Sequence, residues 1–257
     1  MNPCIRIAHL YPRLMNLYGD RGNLIALQHR AEKRGIQVEI TGFERGESIP
    51  AAQIDLFFIG GGQDINQSLI QEDFLKEKGP QLLEFMEEGL PGLCICGGYQ
   101  LMGKSYHSQS EGEMKGLGFF DAHTEAGSKR LVGDLVCEAD FLREQGKDPI
   151  LIGFENHAGY TYLGDTASPL GKVMRGHGNN DIDKREGCYR KHIFGTYMHG
   201  SLLPKNPDFT DWLIQLALNY RYPDFGELPF LDKDYENAAR EVLLKRFLLS
   251  HPDQVKV

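Results

Sequence analysis

GLCICGGYQLMG, residues 92–103, passes from an apolar run straight into two glycines, with Cys96 at the junction. Leu93 to Ile95 read as a short buried strand, and the residues after Gly98 as the start of a helix. A strand, a sharp turn bearing a nucleophile, small residues and a helix make the layout of a nucleophile elbow. Without a Cβ at 97 and 98 the backbone can turn tightly, leaving the sulfur exposed and backbone N–H groups behind it to receive an oxyanion. The corner alone leaves three jobs for Cys96: nucleophile, small buried packing residue, or metal ligand. The metal reading is the weakest. A C-x-C pair on a strand places Cys94 and Cys96 on one face, but no second Cys/His cluster with zinc spacing follows. Cys94 reads as packing inside the apolar run.

Outward from this corner, strands and helices alternate. IRIAHL (5–10) predicts a first buried strand, the turn-rich YPRLMNLYGDRGN follows, and the spacing predicts a helix from about Asn23 to Lys33. IQVEITGF (36–43) and DLFFI (55–59) are further strands, the second ending at Gly60-Gly61-Gly62. Residues 66–88 suit a helical region broken near Gly79 and Pro80. This order points to a mostly parallel sheet flanked by helices, with functional residues at the carboxyl ends of its strands. Beyond about residue 115, LVGDLVCEA, PILIGFENHAGYTYL and GCYRKHIFGTYMHG predict added antiparallel strands. PDFTDWLIQLALNYRYP and KDYENAAREVLLKRFLLS predict two C-terminal helices, the second closing the chain at Pro252. Residues 1–222 are read as one domain, and 223–257 as its helical extension. Val242, Leu243, Phe247 and Leu248 share a stripe that suits packing onto that domain better than docking of a partner.

The chain has 257 residues, 41% hydrophobic and 25% charged, an ordinary composition for a globular protein. A net charge of -8 without any Lys/Arg-rich run argues against a nucleic-acid surface. No apolar stretch reaches the roughly 18 to 20 residues of a membrane helix, and MNPCIRIAHL lacks the layout of a signal peptide. Five cysteines, an odd and scattered set, do not form a disulfide framework. These features predict a cytoplasmic protein with reduced thiols.

A thiol nucleophile needs a base, and nine histidines are available. His29 lies in a helical pattern and His251 at the tail, both surface positions. His199, in FGTYMHG, follows a strand and precedes a glycine, the same context as Cys96. His157, in GFENHAG, is a second candidate.

CICGGYQLMG resembles the nucleophile motif of class I (triad-type) glutamine amidotransferases, and FGTYMHG the histidine motif of the branch containing cobyric acid synthase amidotransferase domains. Together with LYPRLMNLYGDRGN, FFIGGGQD, GFENHAG, the GNN at 178–180 and FGTYMHGSLLPKNP, they resemble the glutaminase subunits of lipid II isoglutaminyl synthases. The resemblance spans roughly residues 5–206 and implies a flavodoxin-like α/β fold. It makes Cys96 the nucleophile that attacks the glutamine carboxamide and His199 its proton carrier. It assigns the oxyanion hole to the N–H of Gly61 or Gly62 and that of Gly97, and places Gln100 in the pocket wall. Arg130, in SKRLVGD, matches an arginine that holds the glutamine substrate, and a guanidinium suits an α-carboxylate.

Many enzymes of the superfamily orient the histidine with an acid two positions later. Here Gly200 and Ser201 follow His199, so the acid is expected elsewhere, either at another residue of this chain, Glu155 for one, or on a partner subunit. GDTASPLGKV (164–173) has the wrong spacing and no Ser/Thr after Lys172 for a P-loop. The resemblance therefore implies a partner that binds ATP and magnesium, a Mur-ligase-like synthetase (MurT) joined in a heterodimer or higher complex. That partner would activate the D-glutamate α-carboxyl of lipid II at the inner membrane face, and this subunit would carry no cofactor or metal and insert in no membrane. The competing readings are an amidotransferase for a corrinoid-type carboxylate and a silent regulatory subunit on the same fold. Intact Cys96 and His199 count against the silent form.

Overall fold

The computed structural model describes residues 3–249. In its first half, β1 (Cys4–Leu10), α1 (Arg21–Glu32), β2 (Gln37–Phe43), β3 (Leu56–Ile59), α2 (Asp64–Asp73), α3 (Gly79–Glu87), β4 (Gly92–Ile95) and α4 (Gly97–Met102) succeed one another. The second half contains β5 (Ser105–Ser108), β6 (Gly112–Lys115), β7 (Ala122–Glu138), α5 (Asp140–Glu144), β8 (Ile150–Leu163), β9 (Gly171–Arg175), β10 (Arg185–Glu186), β11 (Cys188–Arg190), β12 (Ile193–Thr196) and β13 (Met198–His199). It closes with α6 (Pro207–Arg221) and α7 (Asp234–Leu249).

The first sheet has the order β11-β12-β4-β3-β1-β2, parallel except for the β11–β12 pair. Every residue of β3, β4 and β12 is buried, as expected of central parallel strands covered on both faces. β2, at the edge, is mostly exposed. Because β2 and β3 lie on opposite sides of β1, a crevice opens at the carboxyl ends of β1 and β3, where such sheets place their ligands.

The second sheet runs β10-β9-β7-β5-β6, and the long β8 pairs with β7 and β13. All its pairs are antiparallel except β5 with β7. The predicted antiparallel addition therefore covers β7 to β10 but not β12, which joins the first sheet parallel to β4. The four buried residues Ile-Phe-Gly-Thr of β12 carry that difference.

The break predicted near Gly79 and Pro80 is a continuous passage from α2 to α3 through a π-helical turn, Phe74–Lys78. The Gly79 N–H reaches back to the Phe74 carbonyl five residues earlier, and Pro80, which has no N–H to give, follows directly on this wider turn. GDTASPLGKV leads into strand β9, not a helix, and is tied to Asp121 through Gly164 and Thr166.

α1 and α6 are joined by a buried two-pronged pair between Arg30 and Asp211, at 2.7 and 2.9 Å. α7 packs on the same body. Phe247 is buried beside Val136 and Ile152, Leu243 and Leu244 are half-buried against them, and Val242 is exposed. The Leu248 side chain, His251 and Pro252 lie outside the described residues.

Candidate active site

The carboxyl ends of four strands of the first sheet converge. β4 ends at Cys96, β3 at Gly60-Gly61-Gly62, β12 leads through β13 to His199, and β1 is followed by the loop that ends at Asp20. Thr196, last in β12, pairs with Ile95, and its carbonyl accepts the Cys96 N–H at 2.8 Å. The Cys96 corner and the histidine strand are thus hydrogen-bonded neighbours before either side chain is considered.

Cys96 adopts φ 48° and ψ -101°, a conformation that a non-glycine residue holds at a cost of about 1–3 kcal/mol. The surrounding packing enforces it. A Cβ on Gly98 would lie 2.7 Å from the Ile59 carbonyl oxygen, so α4 can start this close to β3 only with glycine there. Cys96 is 9% exposed and lines the same cavity as His199, whereas Cys94 is fully buried and burial pushes its thiol well up. A neutral, enclosed Cys94 is packing.

His199 is completely buried, and its Nδ1 lies 3.2 Å from Asp20 Oδ1. Its Nε2 has no hydrogen-bond partner among the described residues and is the nitrogen left to serve the cysteine. Burial alone would lower the imidazole pKa, but the charge of the neighbouring Cys96 and the bond and charge of Asp20 raise it from 6.5 to about 10. The surroundings therefore favour the protonated imidazole beside Cys96. The Tyr18 ring stands edge-on to His199 at 5.0 Å and closes its outer side.

Asp20 is the group that sequence reading missed. Its second oxygen accepts the Gly61 N–H at 2.7 Å, fixing the carboxylate between loop and imidazole. It sits at the start of α1 but makes no capping bond there, its side chain being turned to His199. Glu155 is corrected by strand register. In the β8–β13 pair His199 faces Phe154 and Met198 faces Glu155, so Glu155 projects from the opposite face. Its buried carboxylate instead accepts the N–H groups of His177 and Gly178 at 2.7 and 2.9 Å, bracing the GNN turn. The carboxylate on His199 is thus present within this chain.

The remaining candidates fall around one cavity of about 480 Å³, large enough for an amino acid. Cys96, His199, Gly62, Gln100, Arg130 and His157 all line it. Of the two alternatives for the oxyanion hole, Gly61 has its N–H committed to Asp20, while the Gly62 N–H is unengaged among the described residues. The Gly62 nitrogen lies 3.0 Å from where a Cβ on Gly97 would be, so these two backbones face each other. As first residue of α4, Gly97 presents an N–H with no acceptor within that helix.

Gln100 belongs to the cavity wall. It accepts from Gln67 Nε2 at 2.8 Å and donates to the Tyr197 hydroxyl at 3.1 Å. His157 stacks its ring on Tyr197 at 3.6 Å, its Nδ1 is engaged by the Gly159 carbonyl, and its Nε2 stands 3.7 Å from the Glu155 carboxylate. Arg130 stands in the irregularity of β7 between Ala126 and Leu131, exposed, with no ion pair or hydrogen bond among the described residues. A free guanidinium at the cavity mouth is available for an anionic ligand. Among the described residues no three His, Cys, Asp or Glu side chains are grouped to hold a metal ion.

Comparison with known proteins bears on the chemistry of this site. A family model for the CobB/CobQ-like glutamine amidotransferase domain matches residues 6–207. The lipid II isoglutaminyl synthase (glutamine-hydrolyzing) subunit GatD of Staphylococcus aureus is 42% identical over 98% of this chain and 98% of its own. The subunit of the same name from Streptococcus pneumoniae is 37% identical over 88% of this chain and 85% of its own. Among solved structures, PurLQS from Thermotoga maritima shares the fold with a TM-score of 0.58 and 18% identity, covering 86% of this chain and all of that one.

Proposed function

Because the chain belongs to the CobB/CobQ-like glutamine amidotransferase family, we propose that it is the glutamine-hydrolysing subunit of a lipid II isoglutaminyl synthase. The observation that carries this reading is the end-to-end likeness to such subunits, which takes in α6 and α7 beyond the amidotransferase core.

In the reaction, the Cys96 thiolate attacks the side-chain carboxamide carbon of L-glutamine, and the carbonyl oxygen becomes an oxyanion held by the N–H groups of Gly62 and Gly97. Protonated His199 gives its Nε2 proton to the departing nitrogen, releasing ammonia and leaving a glutamyl thioester on sulfur. A water molecule, deprotonated by His199, then attacks the thioester; glutamate leaves and the thiolate–imidazolium pair is restored. Asp20 holds the imidazole with Nδ1–H directed at its carboxylate, so Nε2 is the nitrogen that exchanges protons. Arg130 takes the substrate α-carboxylate.

The ammonia is used by a partner subunit, a Mur-ligase-like synthetase (MurT) that binds ATP and magnesium and activates the D-glutamate α-carboxyl of lipid II. The complex works in the cytoplasm at the inner face of the membrane. Among the described residues no helix is long and apolar enough to cross one. The test is reconstitution with the synthetase, ATP, lipid II and glutamine labelled with nitrogen-15 in its side-chain amide. The label is expected in the amidated stem peptide. An unmodified lipid II in a complex that still hydrolyses glutamine would assign the ammonia to another acceptor.

A further inference from the structure

The cavity must distinguish free glutamine from the many carboxamides in a cell, and Arg130 reads only one end of the amino acid. Free glutamine also carries an α-ammonium, which calls for a fixed negative charge. Two carboxylates besides the catalytic machinery line the cavity, Asp64 and Glu111. They differ in how they are held.

Asp64 opens α2, two residues after Gly62. The Tyr106 hydroxyl donates to both of its oxygens at 3.1 and 3.0 Å, and the Ser108 hydroxyl to Oδ2 at 2.5 Å, both from β5. These partners are neutral, and burial together with Asp64 pushes the Tyr106 phenol well up, so it stays a donor. Asp64 makes no ion pair among the described residues, so its charge is oriented but uncompensated. The Glu111 carboxylate lies in the β5–β6 turn and makes no hydrogen bond or ion pair among the described residues, so nothing orients it.

We propose that Asp64, braced by Tyr106 and Ser108, determines substrate specificity by receiving the α-ammonium of L-glutamine opposite Arg130. The inference rests on the glutaminase reading and adds the group that selects the free amino acid. Glutamine is then gripped as a zwitterion, with Arg130 on the carboxylate and Asp64 on the ammonium, while its carboxamide reaches Cys96. N-acylated glutamine and glutamine within a peptide lack the ammonium and leave the Asp64 charge unpaired.

The test compares L-glutamine with its des-amino analogue, 5-amino-5-oxopentanoate, as substrates of the assembled complex carrying wild-type, Asp64→Asn or Glu111→Gln subunit. Asparagine keeps one acceptor oxygen for the Tyr106 and Ser108 hydroxyls, offers them an N–H donor in place of the other oxygen, and removes the charge. The expected result is that Asp64→Asn lowers kcat/KM for glutamine at least about 10-fold, chiefly through KM, and that of the analogue less than about 3-fold. Glu111→Gln should leave the preference unchanged. Equal losses on both substrates, no loss on either, or a preference lost through Glu111→Gln instead, each overturn the assignment. A wild-type complex that hydrolyses neither substrate removes the glutaminase reading itself, and this inference with it.

Discussion

At the scale of single residues, the site is a charge arrangement built around His199. Its pKa, raised from 6.5 to about 10 by Cys96 and Asp20, keeps the imidazolium proton available through neutral pH. The activity that depends on that proton should therefore fall only as pH rises toward about 10. Asp20→Asn removes one of the two charges, so the alkaline limb of the kcat/KM profile moves to lower pH and the rate drops by about 10²–10⁴-fold. The sign for stability follows from the same shift. A group whose pKa rises on folding contributes in full below its unfolded value, here 6.5, and loses that contribution as pH climbs through about 10. Urea midpoints measured at about pH 7 and about pH 10.5 should accordingly fall further for wild type than for Asp20→Asn. Cys96 and His199 are legible in the sequence because each follows an apolar strand run and precedes glycine. Asp20 is not legible as their partner. It lies 179 residues from His199, and an aspartate before a helix reads as a cap until the folded chain shows its side chain turned inward.

At the scale of elements, strand register and loop approach decide what the residues can do. Glu155 stands near His199 in space but on the wrong face of β8, a parity that one-dimensional spacing does not carry unless the pairing is known. The parallel sheet was legible from the alternation of strands with helices; the transfer of β12 into it was not, because a four-residue buried strand carries no mark of its partner. The loop after β3 is set by the absence of a side chain at Gly61, where a Cβ would stand 2.5 Å from His199 Cε1 and 3.1 Å from Asp20 Oδ2. Gly61→Ala should displace the imidazole and cost about 10²-fold in kcat/KM, with unchanged far-ultraviolet circular dichroism. A variant with full activity would show that the loop yields and that its approach does not fix the histidine.

At the scale of the whole molecule, α7 is tied to the segment that follows His199. Arg240, 5% exposed, donates to the Lys205 carbonyl at 2.7 Å, Asn206 Oδ1 at 2.7 Å, Asp148 Oδ2 at 2.6 Å and the Ile150 carbonyl at 2.8 Å. Asn206 in turn bonds both N–H and carbonyl of Ile152 in β8. Arg240→Ala takes a donor from the Lys205 and Ile150 carbonyls and leaves Asn206 Oδ1 only the Ile152 N–H, and should destabilise the chain by about 1–3 kcal/mol in urea denaturation. The sequence marked α7 as a helix with an apolar stripe, but this anchoring is polar and depends on residues 34 and 92 positions away, beyond any helical period. The account as a whole stands on Cys96 as the nucleophile of glutamine hydrolysis. Its most direct test is ammonia release from glutamine by the assembled complex with Cys96→Ala, alongside amidation driven by ammonium chloride. The predicted result is loss of glutamine-derived ammonia by at least about 10³-fold with ammonium-driven amidation retained. Release of ammonia from glutamine at the wild-type rate by the variant would contradict the account.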